Sequence, residues 1–289
     1  MKINSPAAPP RLISTCDGLR AAVRQARAAG KTIGLVPTMG ALHAGHLSLI
    51  EASCQQCDFT VVTVFVNPTQ FAPHEDFNKY PRTLEADLAA MAGWPVDVVF
   101  TPSADEMYPA GHATHVEVGG VALPLEGAAR PGHFSGVATI VLKLFNLAEP
   151  DAAFFGAKDF QQALVVRQMV RDLNLALEIR VVPTVREADG LAMSSRNRYL
   201  NAVERRQAVA IQRSLRRASE LFAGGERSSA EILRGMREVL AAAPAVQPEY
   251  IAIVDADTLT PLEQIGTRAL VAIAARVGNT RLIDNQMLA

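Results

Sequence analysis

The chain has 289 residues, of which 49% are hydrophobic and 20% charged, with a formal net charge of -1. That length and apolar content suffice for a large core, as one big domain or two unequal ones. The absence of a basic excess or a charged block argues against a nucleic-acid partner held by a global field, and no apolar run is long enough to span a membrane. The first ten residues, with Pro6, Pro9 and Pro10, read as a loose lead-in without the apolar core of a secretory signal, so a cytoplasmic location is expected.

Residues 12–30 carry Leu19, Ala22, Val23 and Ala26 at helical spacing, with Ser14 or Thr15 as cap and Gly30 as stop. Residues 32–36 read as a buried strand. Pro37-Thr38-Met39-Gly40-Ala41-Leu42-His43-Ala44-Gly45-His46 follows, then a helix whose inner side is Leu47, Leu49, Ile50 and Ala52. A strand that turns through glycine into a helix offers backbone N–H groups, with the positive end of the helix dipole behind them, to a phosphate. Gly40 lets the backbone turn or approach a ligand, and Gly45 removes a side chain between the histidines. His43 and His46, three apart, share a face of the first turn and can donate to oxygens that gain charge in a reaction. The same pair also fits half of a metal site, or an incidental strand–turn–helix connection. Neither Gly-x-x-x-x-Gly-Lys-Ser/Thr nor Gly-x-Gly-x-x-Gly occurs.

Residues 58–66 form the clearest strand, apolar on both faces as a central parallel strand should be. Strand, helix and strand make a βαβ unit, whose ligands bind beyond the carboxyl ends of the strands. Asn67-Pro68-Thr69-Gln70-Phe71 emerges on that edge. Asn67 and Gln70 can each donate and accept to a small polar substrate, although a Pro turn with an Asn cap explains the segment equally well. A helix is expected from Thr83 or Leu84 to Gly93; its Asp87 can hold a Mg²⁺ or sit solvated. Residues 96–100 read as a short strand. The Pro- and Gly-rich stretch 101–131 reads as loops with a short strand at 114–118. Arg130-Pro131-Gly132-His133 leads into a helix over 138–147.

After a strand at 151–155, Gly156-Ala157-Lys158-Asp159-Phe160-Gln161-Gln162 repeats the pattern of strand, glycine turn, polar residues and helix (163–173). Lys158 is a point charge suited to phosphate oxygens, or a surface lysine; Gln162 can bond a hydroxyl or carboxylate. A strand at 177–183 ends the first region, with a boundary near Thr184. Asp189-Gly190 signals a turn before Met193-Ser194-Ser195-Arg196, where two hydroxyls and a guanidinium can hold a triphosphate or merely cap a helix. Helices at 202–222 and 228–243 and strands at 250–254 and 269–275 suggest a smaller α+β unit. Cys16, Cys54 and Cys57 cannot all pair; Cys54-Gln-Gln-Cys57 has redox spacing but falls at a helix end, and reads as small semi-buried thiols.

The stretch 37–46 resembles the HIGH-type signature of the nucleotidylyltransferase superfamily and, with its flanks, that of the pantothenate synthetase (pantoate–β-alanine ligase) family. Val66-Asn67-Pro68-Thr69-Gln70-Phe71, the run from Arg130 to Val137, the Gly156 turn, Met193-Ser194-Ser195-Arg196 (counterpart of the KMSKS loop) and Asn279-Thr280-Arg281-Leu282-Ile283-Asp284-Asn285 extend the resemblance over nearly the whole chain. It implies an α/β fold: a Rossmann-like doubly wound parallel sheet over 1–184, binding nucleotide and pantoate, and a smaller α+β lid domain over 185–289. The implied reaction is an ATP-dependent condensation of (R)-pantoate with β-alanine through a pantoyl adenylate, giving pantothenate, AMP and diphosphate.

The resemblance also implies roles. His43, His46 (the proton donor), Lys158, Ser194, Ser195 and Arg196 would stabilise the leaving pyrophosphate; Pro37, Thr38, Met39, Gly40, Gly45, Gly156, Ala157, Asp159, Val185 and Met193 would join them around ATP. Gln70, Gln162 and Asn67 would hold pantoate or β-alanine, and Asp87 would assist Mg²⁺. The implied assembly is a homodimer with small-molecule partners only. One departure stands out: the pattern Gly-x-Lys-Asp-x-x-Gln commonly carries Glu where this chain has Ala157, a change that only a side-chain contact would notice. The alternatives are a nucleotidylyltransferase acting on another small acceptor, and a nucleotide-binding regulatory protein without turnover.

Overall fold

The structure is a computed structural model describing residues 9–73 and 75–289; most of the expected lead-in lies outside them. The chain forms two compact units, one running through Ala157 and resuming at Gln161–Pro183, the other formed by Lys158–Phe160 and Thr184–Ala289.

The first unit contains, in chain order, β1 (Arg11–Ile13), α1 (Cys16–Ala28), β2 (Ile33–Thr38), α2 (Ala44–Gln56), β3 (Phe59–Val64), α3 (Leu84–Met91), β4 (Val98–Phe100), α4 (Ala104–Met107), α5 (Glu126–Ala129), α6 (His133–Ala148), β5 (Ala152–Gly156), most of α7 (Phe160–Asp172) and β6 (Glu178–Val182). Among the described residues the strands form one six-stranded sheet, ordered β1-β4-β3-β2-β5-β6, with every pairing parallel. The chain lays β2 in the middle, builds outward through β3 and β4, then returns to place β5 on the other side of β2. The β2/β5 boundary is therefore the switch point, outside whose carboxyl ends such sheets bind ligands.

Alternate strand residues point to opposite faces. Ile33, Leu35, Val61, Val98, Phe100 and Phe155 pack with α1, α6 and α7; Val36, Val62, Val99 and Phe154 pack with α2 and α3. Each such side chain contributes about 1.5–3 kcal/mol when fully buried. Cover on both faces is why β2 and β3 read as unbroken apolar runs.

Two local features differ from or add to the sequence reading. Residues 11–13, to which no element was assigned, form an edge strand; α1 begins after Thr15, one of the two expected caps, whose hydroxyl accepts the Gly18 amide. Residues 114–118 are not a strand and join neither sheet. There the Val116 amide bonds Thr139 Oγ1 instead, and Val116 and Val118 pack singly against the core.

The second unit holds α8 (Ala202–Ala223), α9 (Ser229–Ala241) and an antiparallel sheet ordered β7 (Val246–Val254), β8 (Ala269–Val277), β9 (Thr280–Leu288). Asn201 and Glu204 form a capping box at the start of α8. The inner sides of both helices and of the sheet share one apolar cluster around Ile211, Leu215, Ile232, Met236 and Ile273. Among the described residues no helix is long and apolar enough to cross a membrane. All three cysteines are free and half-buried, and burial raises each thiol, that of Cys16 to about 11, which disfavours the reactive thiolate.

Candidate active site

The signature loop leaves β2 at the switch point. Thr38 ties it down: its hydroxyl donates to Thr63 O (2.6 Å) and accepts the Gly40 amide (3.1 Å). Gly40 (φ +80°) and Ala41 (φ +52°) then take successive left-handed conformations. A Cβ on Gly40 would stand 2.9 Å from Asp87 Oδ2 and from Val64 Cγ1, so the position excludes a side chain sterically as well as conformationally.

His43 is the N-cap of α2. Its Nδ1 accepts the Gly45 amide (3.1 Å), while Nδ1 of His46 accepts the His43 amide (3.4 Å), a capping box built from two imidazoles. The rings lie 4.1 Å apart between centroids. The amides of His46 and Leu47 go to His43 O. The amides of Gly45, His46 and Leu47, expected to lie open, are engaged inside the cap. With each Nδ1 an acceptor, a neutral ring carries its proton on Nε2, so the pair presents imidazole N–H donors. Beside the loop lies a cavity of about 360 Å³, lined among others by Met39, Gly40, Phe65, Arg82 and Asp87.

Beyond β3, Pro68–Gln70 makes a short 3-10 turn capped by Asn67. Asn67 is 1% exposed, and its amide is engaged within the protein. Nδ2 donates to Gln70 Oε1 and to Gly136 O, both at 3.1 Å; Oδ1 accepts from Tyr108 Oη (2.7 Å) and Thr69 Oγ1 (3.0 Å). The direct substrate contact expected of Asn67 gives way to a bracing role. It fixes the Gln70 amide so that Nε2 points away as the donor, where it lies 3.1 Å from Met39 Sδ. Gly136 makes this possible, because a Cβ there would sit 2.3 Å from Thr69 O.

A buried latch holds the segment after Gln70. Arg130 grips Glu75 with two bonds (2.6 and 2.9 Å) and donates to His133 Nε2 (3.0 Å); His133 Nδ1 donates to Gln70 O (2.9 Å). Burial alone would raise the Glu75 carboxyl, but the bonds and charge of Arg130 and the Ala72 amide hold it at about 2. Burial, helped by the Arg130 charge, lowers His133 to about 4, so the ring is neutral.

At the end of β5, Gly156 passes into a 3-10 turn, Ala157–Asp159. Gln162 lies half-buried in the first turn of α7, while the adjacent Gln161 is 6% exposed and bonded to Val121 O, Pro124 O and the Glu126 amide.

In the second unit the Lys158 carbonyl accepts from Asn285 Nδ2 (2.8 Å) on β9, and Nζ lies 3.7 Å from Asp159 Oδ1. The Met193 amide bonds Val185 O, and Asp189-Gly190 forms the tip of the turn between them, Gly190 at φ +93°. Arg205 clamps Glu187 and Asp189, and Arg186 grips Asp284. Ser194 caps the turn Ser195–Tyr199 through the Arg196 amide, with Ser195 9% exposed.

Asp87 does not fit the metal role expected of it. It is 2% exposed, both carboxylate oxygens already accept backbone amides, and among the described residues no group of three or more His, Cys, Asp or Glu could hold an ion.

The family model described as pantoate–β-alanine ligase matches residues 11–287. The chain belongs to the pantoate–β-alanine ligase family. It is therefore an enzyme of that kind, a pantothenate-forming ligase. Pantothenate synthetase of Moorella thermoacetica is 56% identical over 277 residues, covering 96% of this chain and 98% of its own. The crystal structure of pantothenate synthetase from Thermus thermophilus superposes with a TM-score of 0.91 at 48% identity, over 96% of this chain and 98% of that one. Pantoate–β-alanine ligase from Francisella tularensis, solved with β-γ ATP and β-alanine, has a TM-score of 0.79 at 33% identity and covers 96% and 97%.

The sequence assigned no role to Tyr108, Gln161 or Asn285, the last two appearing only as parts of longer motifs. Tyr108 reaches Asn67 across 41 positions and Asn285 reaches Lys158 across 127, distances at which no local spacing signals a contact.

Proposed function

We propose that this ligase activates pantoate with ATP, in two steps. The pantoate carboxylate oxygen attacks the α-phosphorus of ATP in line, and the bond to pyrophosphate breaks. The β-alanine amine then attacks the acyl carbon of pantoyl adenylate, and AMP leaves with the bonding electrons. In-line displacement needs positioning and charge stabilisation rather than a covalent enzyme intermediate.

The observation that carries this reading is the reciprocal histidine cap at the β2/β5 switch point. It uses Nδ1 of both rings as acceptors at the carboxyl end of β2, which supports a role for the opposite imidazole nitrogens as donors, and donors of this kind stabilise charge building on phosphate oxygens. His46 acts as the donor to the leaving group. The Francisella relative with β-γ ATP and β-alanine supports the substrate pair. Gln70, with its amide orientation fixed by Asn67, and Gln162 grip pantoate. Pro37, Met39, Gly40, Gly45, Gly156, Ala157, Lys158, Asp159, Val185, Met193 and Ser194, Ser195 and Arg196 serve ATP, as the family resemblance implies. Mg²⁺ accompanies ATP as the counter-ion of its phosphates, and no step is assigned to it. A homodimer in the cytoplasm completes the reading.

The test is pantoate-dependent exchange of labelled pyrophosphate into ATP without β-alanine. Exchange, followed by release of free AMP once β-alanine is added, supports the adenylate route. Folded protein that binds ATP and forms pantothenate without exchanging pyrophosphate would refute it.

A further inference from the structure

Asp87 is a buried carboxylate whose partners include the backbone of the signature loop, just ahead of the histidine pair. Oδ2 accepts the Ala41 amide at 3.0 Å and Oδ1 the Leu42 amide at 2.8 Å. Thr83 Oγ1 donates to Oδ1 at 3.3 Å, and the Asp87 amide itself bonds Thr83 O at 2.9 Å. The residue sits in the first turn of α3, where the helix dipole favours a negative charge, and the same helix is anchored in the core by Met91.

The loop needs such a clamp. Ala41 is held at φ +52°, a conformation unfavourable for a non-glycine residue that persists only when its surroundings impose it. Its amide is buried and would otherwise lack a partner. Leu42 immediately precedes His43, so whatever fixes the Leu42 amide fixes the direction from which the N-cap enters α2. The missing side chain of Gly40 leaves room for the carboxylate to reach both amides.

We propose that Asp87 is a positioning residue for the His43/His46 pair, acting through the backbone of Ala41 and Leu42, and is not a metal ligand. The inference rests on the reading that the pair acts on the phosphates. The bonding makes a sharp distinction. Both oxygens must accept, so asparagine, the same size, turns an NH₂ donor toward one of the two amides and breaks the clamp.

The experiment measures kcat and KM for pantothenate formation with Asp87→Asn, alone and combined with His46→Ala, across a Mg²⁺ titration. Pantothenate formation follows from family membership whether or not an adenylate forms. Failure of the adenylate reading therefore appears separately, in the exchange assay on the unsubstituted protein. For a clamp, kcat falls about 100-fold, as for a misplaced catalytic group. The KM for ATP and the half-saturating Mg²⁺ concentration stay within about 3-fold, and in the His46→Ala background Asp87→Asn costs less than about 3-fold, because the group it positions is gone. Recovery of the rate at high Mg²⁺ overturns the proposal in favour of a metal ligand. Losses that multiply in the double variant overturn it in favour of a general structural role. Should Asp87→Asn not fold, Thr83→Val, which removes one bond to the carboxylate, takes its place; it is expected to lose about 3-fold in kcat and to lose nothing further without His46.

Discussion

His43 and His46 each receive a backbone amide on Nδ1, and one of those amides is that of His43 itself. The two residues are at once the start of a helix and the proposed chemical tool, so a substitution at either has a structural and a catalytic component. The two components separate. His43→Ala removes an N-cap and is expected to lower stability by about 1 kcal/mol, read by urea unfolding. His46→Ala is expected to lower kcat by about 10²–10³ while ATP affinity, measured by calorimetry, stays within about 3-fold. Unchanged turnover in folded His46→Ala would remove His46 from the mechanism.

Tyr108 donates to Asn67 Oδ1 at 2.7 Å, and its hydroxyl also lies 3.2 Å from Thr69 Oγ1 on the same turn. Tyr108→Phe deletes the hydroxyl that bonds Asn67 Oδ1 and so loosens the amide that orients Gln70. The expected result is a rise in the KM for pantoate of about 3–10-fold, with the KM for ATP unchanged, at a stability cost of about 1 kcal/mol. Equal changes in both constants would mean that Tyr108 matters for the fold alone.

The Glu75–Arg130–His133 latch makes stability depend on pH. His133 is lowered from 6.5 to about 4 in the fold, so between those values the unfolded chain binds the extra proton. Its contribution is complete above pH 6.5 and is lost as pH falls toward 4, with a ceiling of about 3 kcal/mol. Glu75 acts in a lower window: its contribution is present above 4.5 and lost on the way to about 2. Urea midpoints should therefore fall between pH 7 and pH 4, and His133→Asn should flatten that slope. An identical slope in the variant would show that the ring does not titrate as its burial demands.

Ala157 stands where the family pattern commonly has Glu. A backbone role at this turn predicts that Ala157→Glu leaves kcat and the KM for ATP within about 3-fold. A gain of 10-fold or more in kcat/KM for ATP would show that the glutamate side chain carries a function this chain has lost.

Much of the first unit was legible because its strands are buried on both faces. Ile33–Thr38 and Phe59–Val64 announce themselves as apolar runs, and the turn between them carries its chemistry in consecutive residues. Arg11–Ile13 was illegible for the opposite reason: it is three residues long, Arg11 and Leu12 are exposed, and it exists only because β4 offers an edge. Residues 114–118 alternate like a strand, but Val116 and Val118 pack singly against the core and the Val116 amide bonds a side chain instead of a neighbouring strand. Thr280–Leu288 passed unnoticed as a strand because Asp284, buried against Arg186, breaks its apolar pattern. In the site, His43, His46, Gln70 and Gln162 were readable as residue types in motifs. Asp87 was readable as a carboxylate but not as a clamp, since its partners lie 45 and 46 positions away and are amides, which every residue has.

Lys158–Phe160 belongs by its contacts to the second unit, although the chain on both sides of it belongs to the first. Asn285, near the far end of the sequence, closes on the carbonyl of Lys158. A recombination breakpoint at Thr184 therefore looks clean on paper and is not. A chimera joined there between two family members inherits Lys158 from one parent and the strand that holds it from the other. Because the acceptor is a backbone carbonyl, the contact constrains the path of the turn at 158 and the side chain at 285, and a hybrid that takes residues 158–160 from the same parent as the end of the chain keeps this packing from one source.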